Sequence, residues 1–223
     1  MPLTEPTVND LSPLTRAEVE PMLLLDTSGS MDWPAADGSP IKRRQVIGEA
    51  ITLLVARLAA KDSQAAAEHA AGADEAEIGG VMTVGFADSP SEYDDLNPAN
   101  IAAKWANIRW GGSTHIVPGW EKLVDIYTEE FGGRPKQDRP HLLALVITDG
   151  EAQDAGEFAR ILEKQSSGTY VAVAVVGYGE DHDRTLAQYR AIEAGNAHVR
   201  VVTFGSSTDP HEISGALLSL IGE

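Results

Sequence analysis

Cysteine is missing altogether from these 223 residues, which rules out disulfides, thiol nucleophiles, cysteine-rich zinc sites and iron–sulfur clusters. Positive charge is scarce: 17 Lys and Arg stand against 34 Asp and Glu, for a net charge of −17. A field of that sign repels phosphate backbones and argues against nucleic acid as a partner. No uninterrupted apolar run approaches the roughly 18 residues that span a bilayer. Met1 to Glu20 also lack the basic start and apolar core of a signal peptide. The expectation is a protein that keeps clear of membranes and works in the cytoplasm. Hydrophobic residues nonetheless make up 43% of the chain, enough for one α/β domain to bury a core.

Residues 1–19 carry Pro2, Pro6 and Pro13 among polar residues without a sustained period, and read as an N-terminal arm. From Glu20 to Glu223 strands alternate with helices in one domain. Met22 to Leu25, Leu142 to Thr148 and Tyr170 to Val176 are apolar runs of the kind found in strands covered on both faces. Further strands are expected at Ile78 to Ala87 and Val199 to Phe204, with a short edge strand around Ser91 to Asp95. Ser39-Pro40 reads as a helix start, followed by a face of Ile47, Ile51, Leu54, Val55 and Leu58. Ala59 to Glu77 reads as a solvated insertion that extends this helix and breaks near Gly72. Asn97-Pro98 opens a small helix with Ile101 and Trp105, and another follows Thr114 with Val117, Trp120, Leu123, Val124 and Tyr127 inward. Asp209-Pro210 with Glu212 starts a terminal helix bearing Ile213, Leu217, Leu220 and Ile221. The expected fold is α/β: an open, mostly parallel, doubly wound sheet of about six strands, one of them a short antiparallel edge strand, with helices on both faces.

In such sheets ligands bind beyond the carboxyl ends of the strands. The first strand ends in Asp26-Thr27-Ser28-Gly29-Ser30 and the fourth in Thr148-Asp149-Gly150-Glu151. Between them, before a helix, stands Gly111-Gly112-Ser113-Thr114-His115. Two carboxylates and several hydroxyls therefore converge on one sheet edge. Oxygen donors without cysteine or clustered histidine suit a hard divalent cation, Mg²⁺ first, then Mn²⁺ or Ca²⁺. Asp26, Ser28 and Ser30 alternate, so one tight loop can turn all three inward, with Gly29 relieving the turn.

These segments resemble the von Willebrand factor type A domain, and Asp26-x-Ser28-x-Ser30 with a downstream Thr and Asp is similar to that family's metal-ion-dependent adhesion site. The likeness covers roughly residues 20 to 222. It implies that Ser28 and Ser30 bind the metal directly, with Thr114 joining directly or through water. Asp26 and Asp149 would act largely through bridging waters, and a partner's Asp or Glu would complete the shell. Members of the family commonly place Thr directly after the two glycines. Here Ser113 stands there, so Thr114 and Ser113 both remain open for that role. On overall layout the chain is also similar to bacterial members of the family associated with tellurium-resistance and stress gene clusters.

The resemblance implies a binding module and no enzyme: a divalent-metal-dependent domain that recognises a protein partner's carboxylate. Runners-up are a Mg²⁺-dependent phosphohydrolase or phospho-signalling component, and a scaffold with a silent site. No G-x-G-x-x-G, P-loop, G-x-S-x-G or H-E-x-x-H motif occurs. An aspartyl-phosphate phosphatase would want a second Asp two residues after Asp26, where Ser28 stands. Gly177-Tyr178-Gly179 reads as a turn, His182 as part of a solvated loop, and His115 as the one histidine near the site. Trp33 and Trp110 flank the site in sequence, either as exposed contacts or as partly buried core.

Overall fold

The computed structural model describes residues 18–69, 80–166, 168–205 and 209–219. Six strands form one sheet: β1 (Val19–Asp26), β2 (Val81–Phe86), β3 (Ser91–Leu96), β4 (His141–Thr148), β5 (Thr169–Val176) and β6 (Val199–Gly205). Their spatial order is β3-β2-β1-β4-β5-β6, parallel throughout except for β3, which runs antiparallel to β2. From Leu142 to Thr148 and from Tyr170 to Val176 every residue is buried, because parallel strands in mid-sheet are covered on both faces. The edge strand β3 is instead acidic and mostly exposed, a composition that discourages pairing with another chain.

Among the described residues six helices cover the sheet: α1 (Arg43–His69), α2 (Ile101–Asn107), α3 (Ile116–Phe131), α4 (Ala155–Glu163), α5 (Glu180–Gly195) and α6 (Pro210–Ser219). The period-2 alternation of the strands sorts them into two layers. Leu23, Leu25, Leu143, Leu145 and Ile147 pack with Ile47, Ile51, Leu54, Ile101 and Ile213, so α1, α2 and α6 share one face. Met22, Leu24, Ala144 and Val146 pack with Trp120, Leu123, Phe158, Leu162 and Tyr189, which puts α3, α4 and α5 on the other. None of the described helices is long and apolar enough to cross a membrane.

Two expectations shift, and others fall partly outside the described residues. α1 begins at Arg43, three residues after Pro40. Ser39 Oγ accepts the Ile41 N–H in a local turn, and Lys42 bridges back to Pro34 before the helix starts. At its other end α1 runs as helix through His69, while Gly72 and the rest of 70–79, Ile78 included, lie outside the described residues. β1 begins at Val19, inside the segment read as an arm, and residues 1–17 lie outside the described residues. Asp209 caps α6 by accepting the His211 N–H. Of that helix's apolar face Ile213 is buried, whereas Leu217, Leu220 and Ile221 fall outside what is described.

The strand order reverses between β1 and β4, and the connections leaving these two strands diverge to opposite sides. A crevice opens at their carboxyl ends, the position at which open α/β sheets take ligands.

Candidate metal centre at the β1–β4 crevice

Asp26 is the last residue of β1, and Asp149 follows the last residue of β4. In the parallel register Leu25 faces Ile147, so Asp26 stands beside Thr148. Both carboxylates are fully buried. Asp26 Oδ1 accepts the Ser28 N–H at 2.9 Å, and Oδ2 accepts the Thr148 hydroxyl at 3.0 Å. Burial, and then the nearby charge of Asp149, push the Asp26 carboxyl up from 3.8 to about 7, with the Ser28 and Thr148 hydrogen bonds pulling the other way. Asp149 has what Asp26 lacks, a cation: Arg43 Nη1 donates to its Oδ2 at 2.8 Å, while Oδ1 accepts the Glu151 N–H at 3.1 Å.

After Asp26 the chain makes a short 3-10 turn from Gly29 to Asp32. Ser28 and Ser30 point their hydroxyls at each other, Oγ to Oγ 3.0 Å. Gly29 does not adopt the left-handed conformation, and a Cβ there would make ordinary contacts with the Gly112 carbonyl at 3.5 Å and the Gly111 Cα at 3.9 Å. The expected relief of the turn by Gly29 is therefore not what shapes it; the 3-10 geometry does.

The third loop is laced to this one. Gly111 N–H donates to the Thr27 carbonyl at 2.9 Å and Gly29 N–H to the Gly112 carbonyl at 3.3 Å. Gly112 has φ +83° and lies so close to Asp88 that a Cβ would collide with its carboxylate. Asp88 in turn accepts both the Ser113 N–H, at 2.9 Å, and the Ser113 hydroxyl, at 2.5 Å. Those two bonds hold the Asp88 carboxyl below its usual range. The hydroxyl proton of Ser113 is thus committed to Asp88, on an exposed part of the loop. Thr114 is buried, and its carbonyl accepts the Gln153 N–H from the loop after β4 at 2.9 Å. The structure so draws Asp26, Ser28, Ser30, Thr114 and Asp149 onto three loops stitched to one another by backbone hydrogen bonds.

Two contributors escape sequence reasoning. Asp154 supplies the cap of α3 from a distant loop: its carboxylate accepts the Ile116 and Val117 N–H groups at 2.9 and 3.0 Å, because the residue at the helix start is His115, which makes no side-chain cap. Nothing local in the sequence marks that partnership. Arg43 had a signal, since Lys42-Arg43-Arg44 is a run of three cations in a chain short of them.

Other residues settle as follows. His182, expected in a solvated loop, is buried in the first turn of α5, its Nδ1 3.4 Å from the Asp149 carbonyl. Gly177 and Gly179 form the expected turn, both at positive φ. Trp33 and Tyr178 are 52% and 38% exposed and stand on the crevice rim against Arg43, whereas Trp110 packs on Trp105 and the core. Trp120 is buried as core.

A hard divalent cation fits these residues on two counts. Cis ligands of an octahedral ion at 2.0–2.1 Å lie about 2.9 Å apart, close to the Ser28–Ser30 hydroxyl spacing of 3.0 Å. The buried pair Asp26 and Asp149 also has one buried cation, Arg43, against two acids. Among the described residues no group of three His, Cys, Asp or Glu gathers as a metal cluster, so any ion here would depend on hydroxyls and water beside two acids.

No protein-family model and no curated protein matches the chain. Solved structures do. A D319A mutant of the PilB minor pilin from Streptococcus sanguinis is 13% identical, with a TM-score of 0.62, covering 94% of this chain and 62% of that one. The SpRpn10 VWA domain is 11% identical at a TM-score of 0.54, covering 90% of this chain and 94% of that one. Proximal thread matrix protein 1 from the mussel byssus, with a zinc-occupied MIDAS motif, is 16% identical at a TM-score of 0.53, covering 92% and 46%. This chain thus spans less than two thirds of the pilin and of the mussel protein. At these identities the likeness shows the fold, which is von Willebrand A-like.

Proposed function

We propose that the protein is a non-enzymatic, divalent-metal-dependent binding module, in which Asp26, Ser28, Ser30, Thr114 and Asp149 hold Mg²⁺, or Mn²⁺ or Ca²⁺, and a protein partner supplies an Asp or Glu to it. The observation that carries this reading is the pair of buried carboxylates at the β1–β4 crevice, short of positive charge, beside two hydroxyls 3.0 Å apart. When bound, the ion supplies a Lewis-acidic positive centre for an external carboxylate. Ser28 and Ser30 contribute neutral oxygens and so leave that positive charge largely intact. Asp26 and Asp149 orient water around it, each held in place by a backbone N–H two residues on. Thr114 is the loop hydroxyl we assign to the set: it is buried, whereas the Ser113 hydroxyl is turned to the exposed Asp88.

Catalysis is not part of this reading. The Ser28 and Ser30 hydroxyls pair with each other at 3.0 Å, in the arrangement of two neutral oxygens offered to one ion. A zinc-occupied MIDAS motif in the mussel neighbour supports a divalent ion as the occupant of this kind of fold. The cytoplasm is the setting we propose from the lack of a signal-peptide pattern at Met1 to Glu20, and a stress or tellurium-resistance system the role we propose from the sequence resemblance; a deletion strain of normal tellurite sensitivity would remove the latter part.

Affinity capture from host lysate tests the whole reading, with wild type and Asp26→Asn each in Mg²⁺ and in EDTA. Proteins retained only by wild type in Mg²⁺ are the expected result. An identical catch in all lanes would show a surface indifferent to metal, and a Mg²⁺-dependent phosphoester turnover lost in Asp26→Asn would make the protein an enzyme.

A further inference from the structure

Arg43 occupies a place that local rules disfavour. It is the first residue of α1, where a positive charge opposes the positive end of the helix dipole, and it is only 3% exposed. A guanidinium taken out of water is costly unless paired and hydrogen-bonded. Its Nη1 reaches Asp149 Oδ2 at 2.8 Å and lies 3.9 Å from Glu151 Oε1, but its Nε is buried with no hydrogen-bond partner. The surroundings hold it there all the same. Trp33 and Tyr178 place their rings 5.6 and 5.8 Å from its Cζ, within cation–π reach. Gly177 leaves the room: a Cβ there would stand 2.9 Å from that Cζ. Among the described residues the one cation paired with a crevice carboxylate is therefore fixed by three separate loops.

We infer that Arg43 sets the charge of the site, cancelling one of its two buried carboxylates so that a divalent ion bound there stays short of neutrality and recruits an external carboxylate to complete it. This rests on the metal-binding reading above and deepens it. The three fully enclosed groups, Asp26, Asp149 and Arg43, together carry one net negative charge, which a divalent ion brings to one net positive; Glu151, 3.9 Å from Arg43 and a quarter exposed, adds a negative charge that water screens. Without Arg43 the two acids would neutralise the ion themselves. The arrangement weakens the hold on bare metal and strengthens metal together with an anion, and by linkage each of the two ligands then tightens the other. A residue that only braced the fold would not move metal and anion affinity in opposite directions.

The test measures Mn²⁺ binding by calorimetry in chloride and in acetate at equal ionic strength, for wild type, Arg43→Gln and Arg43→Lys. In wild type, acetate is expected to tighten Mn²⁺ binding several-fold. Arg43→Gln is expected to bind Mn²⁺ at least tenfold tighter in chloride and to lose the acetate effect, and Arg43→Lys to restore that effect. Mn²⁺ affinity in Arg43→Gln equal to or weaker than in a metal-binding wild type would overturn the inference and leave the metal site standing. Absence of Mn²⁺ uptake in all three proteins would overturn both. Should Arg43→Gln fail to fold, the acetate dependence of the wild type and of Arg43→Lys decides: tightening in both supports the inference, and its absence in wild type overturns it.

Discussion

The two walls of the crevice bury the same chemical group under different conditions. On the β1 wall Asp26 is fully enclosed, hydrogen-bonded by Ser28 and Thr148, and has no cation; its carboxyl rises to about 7. On the β4 wall Asp149 is equally enclosed but bonded to Arg43. Burial alone therefore does not define a site: what distinguishes the walls is which carboxylate is already neutralised. The uncompensated wall is the one beside the two serine hydroxyls, and that is where an added positive charge gains most.

Breaking each wall should have unlike consequences. The largest effect is expected for Asp149→Asn, which leaves the Arg43 guanidinium buried without its carboxylate; the metal-free protein should lose about 3–5 kcal/mol in denaturant melts. Asp26→Asn removes a repulsion rather than an attraction, so at pH 8 its metal-free form should melt no lower than wild type, even though metal uptake disappears.

The pH dependence sharpens the contrast. Because the folded-state carboxyl of Asp26 lies above its ordinary 3.8, the native protein keeps a proton between about pH 4 and 7 that the unfolded chain has released. The stabilisation this gives is present at the acid end and is lost as pH rises toward 7. The melting temperature of metal-free wild type relative to Asp26→Asn should accordingly fall from pH 5 to pH 8, and metal affinity should rise over the same range. A flat difference would mean that Asp26 ionises at its ordinary pH.

Smaller effects separate the two hydroxyls of the third loop. Thr114→Val should weaken Mn²⁺ binding about tenfold, roughly the 1.4 kcal/mol of one lost ligand contact. Ser113→Ala should change it less than about threefold, since that hydroxyl already serves Asp88. Equal losses in the two variants would reopen the assignment of Thr114.

How much of this was legible beforehand follows from how local each cause is. β4 and β5 are unbroken apolar runs, so their burial can be read directly, and the charged β3 was readable as an edge. Asp26 and Asp149 announced themselves by standing at strand ends. The start of α1 was misread because Ser39-Pro40 looks like a helix cap, whereas the Ser39 hydroxyl closes a turn on Ile41 and the Pro34–Lys42 bridge delays the helix. His182 looked solvated between two aspartates, yet the first turn of α5 tucks it under the Asp149 carbonyl. The Arg43–Asp149 and Asp154–Ile116 contacts join residues 106 and 38 positions apart, and only the folded sheet brings them together.

The most direct test of the account is a calorimetric titration of Mg²⁺ and Mn²⁺ into wild type and Asp26→Asn at pH 8, with melting curves of both metal-free proteins alongside. One ion bound per wild-type chain, none per Asp26→Asn chain, and a variant that melts at least as high as wild type is the predicted result. Equal uptake by the two proteins, or none by wild type, would contradict the claim that the uncompensated Asp26 wall is where a divalent ion binds.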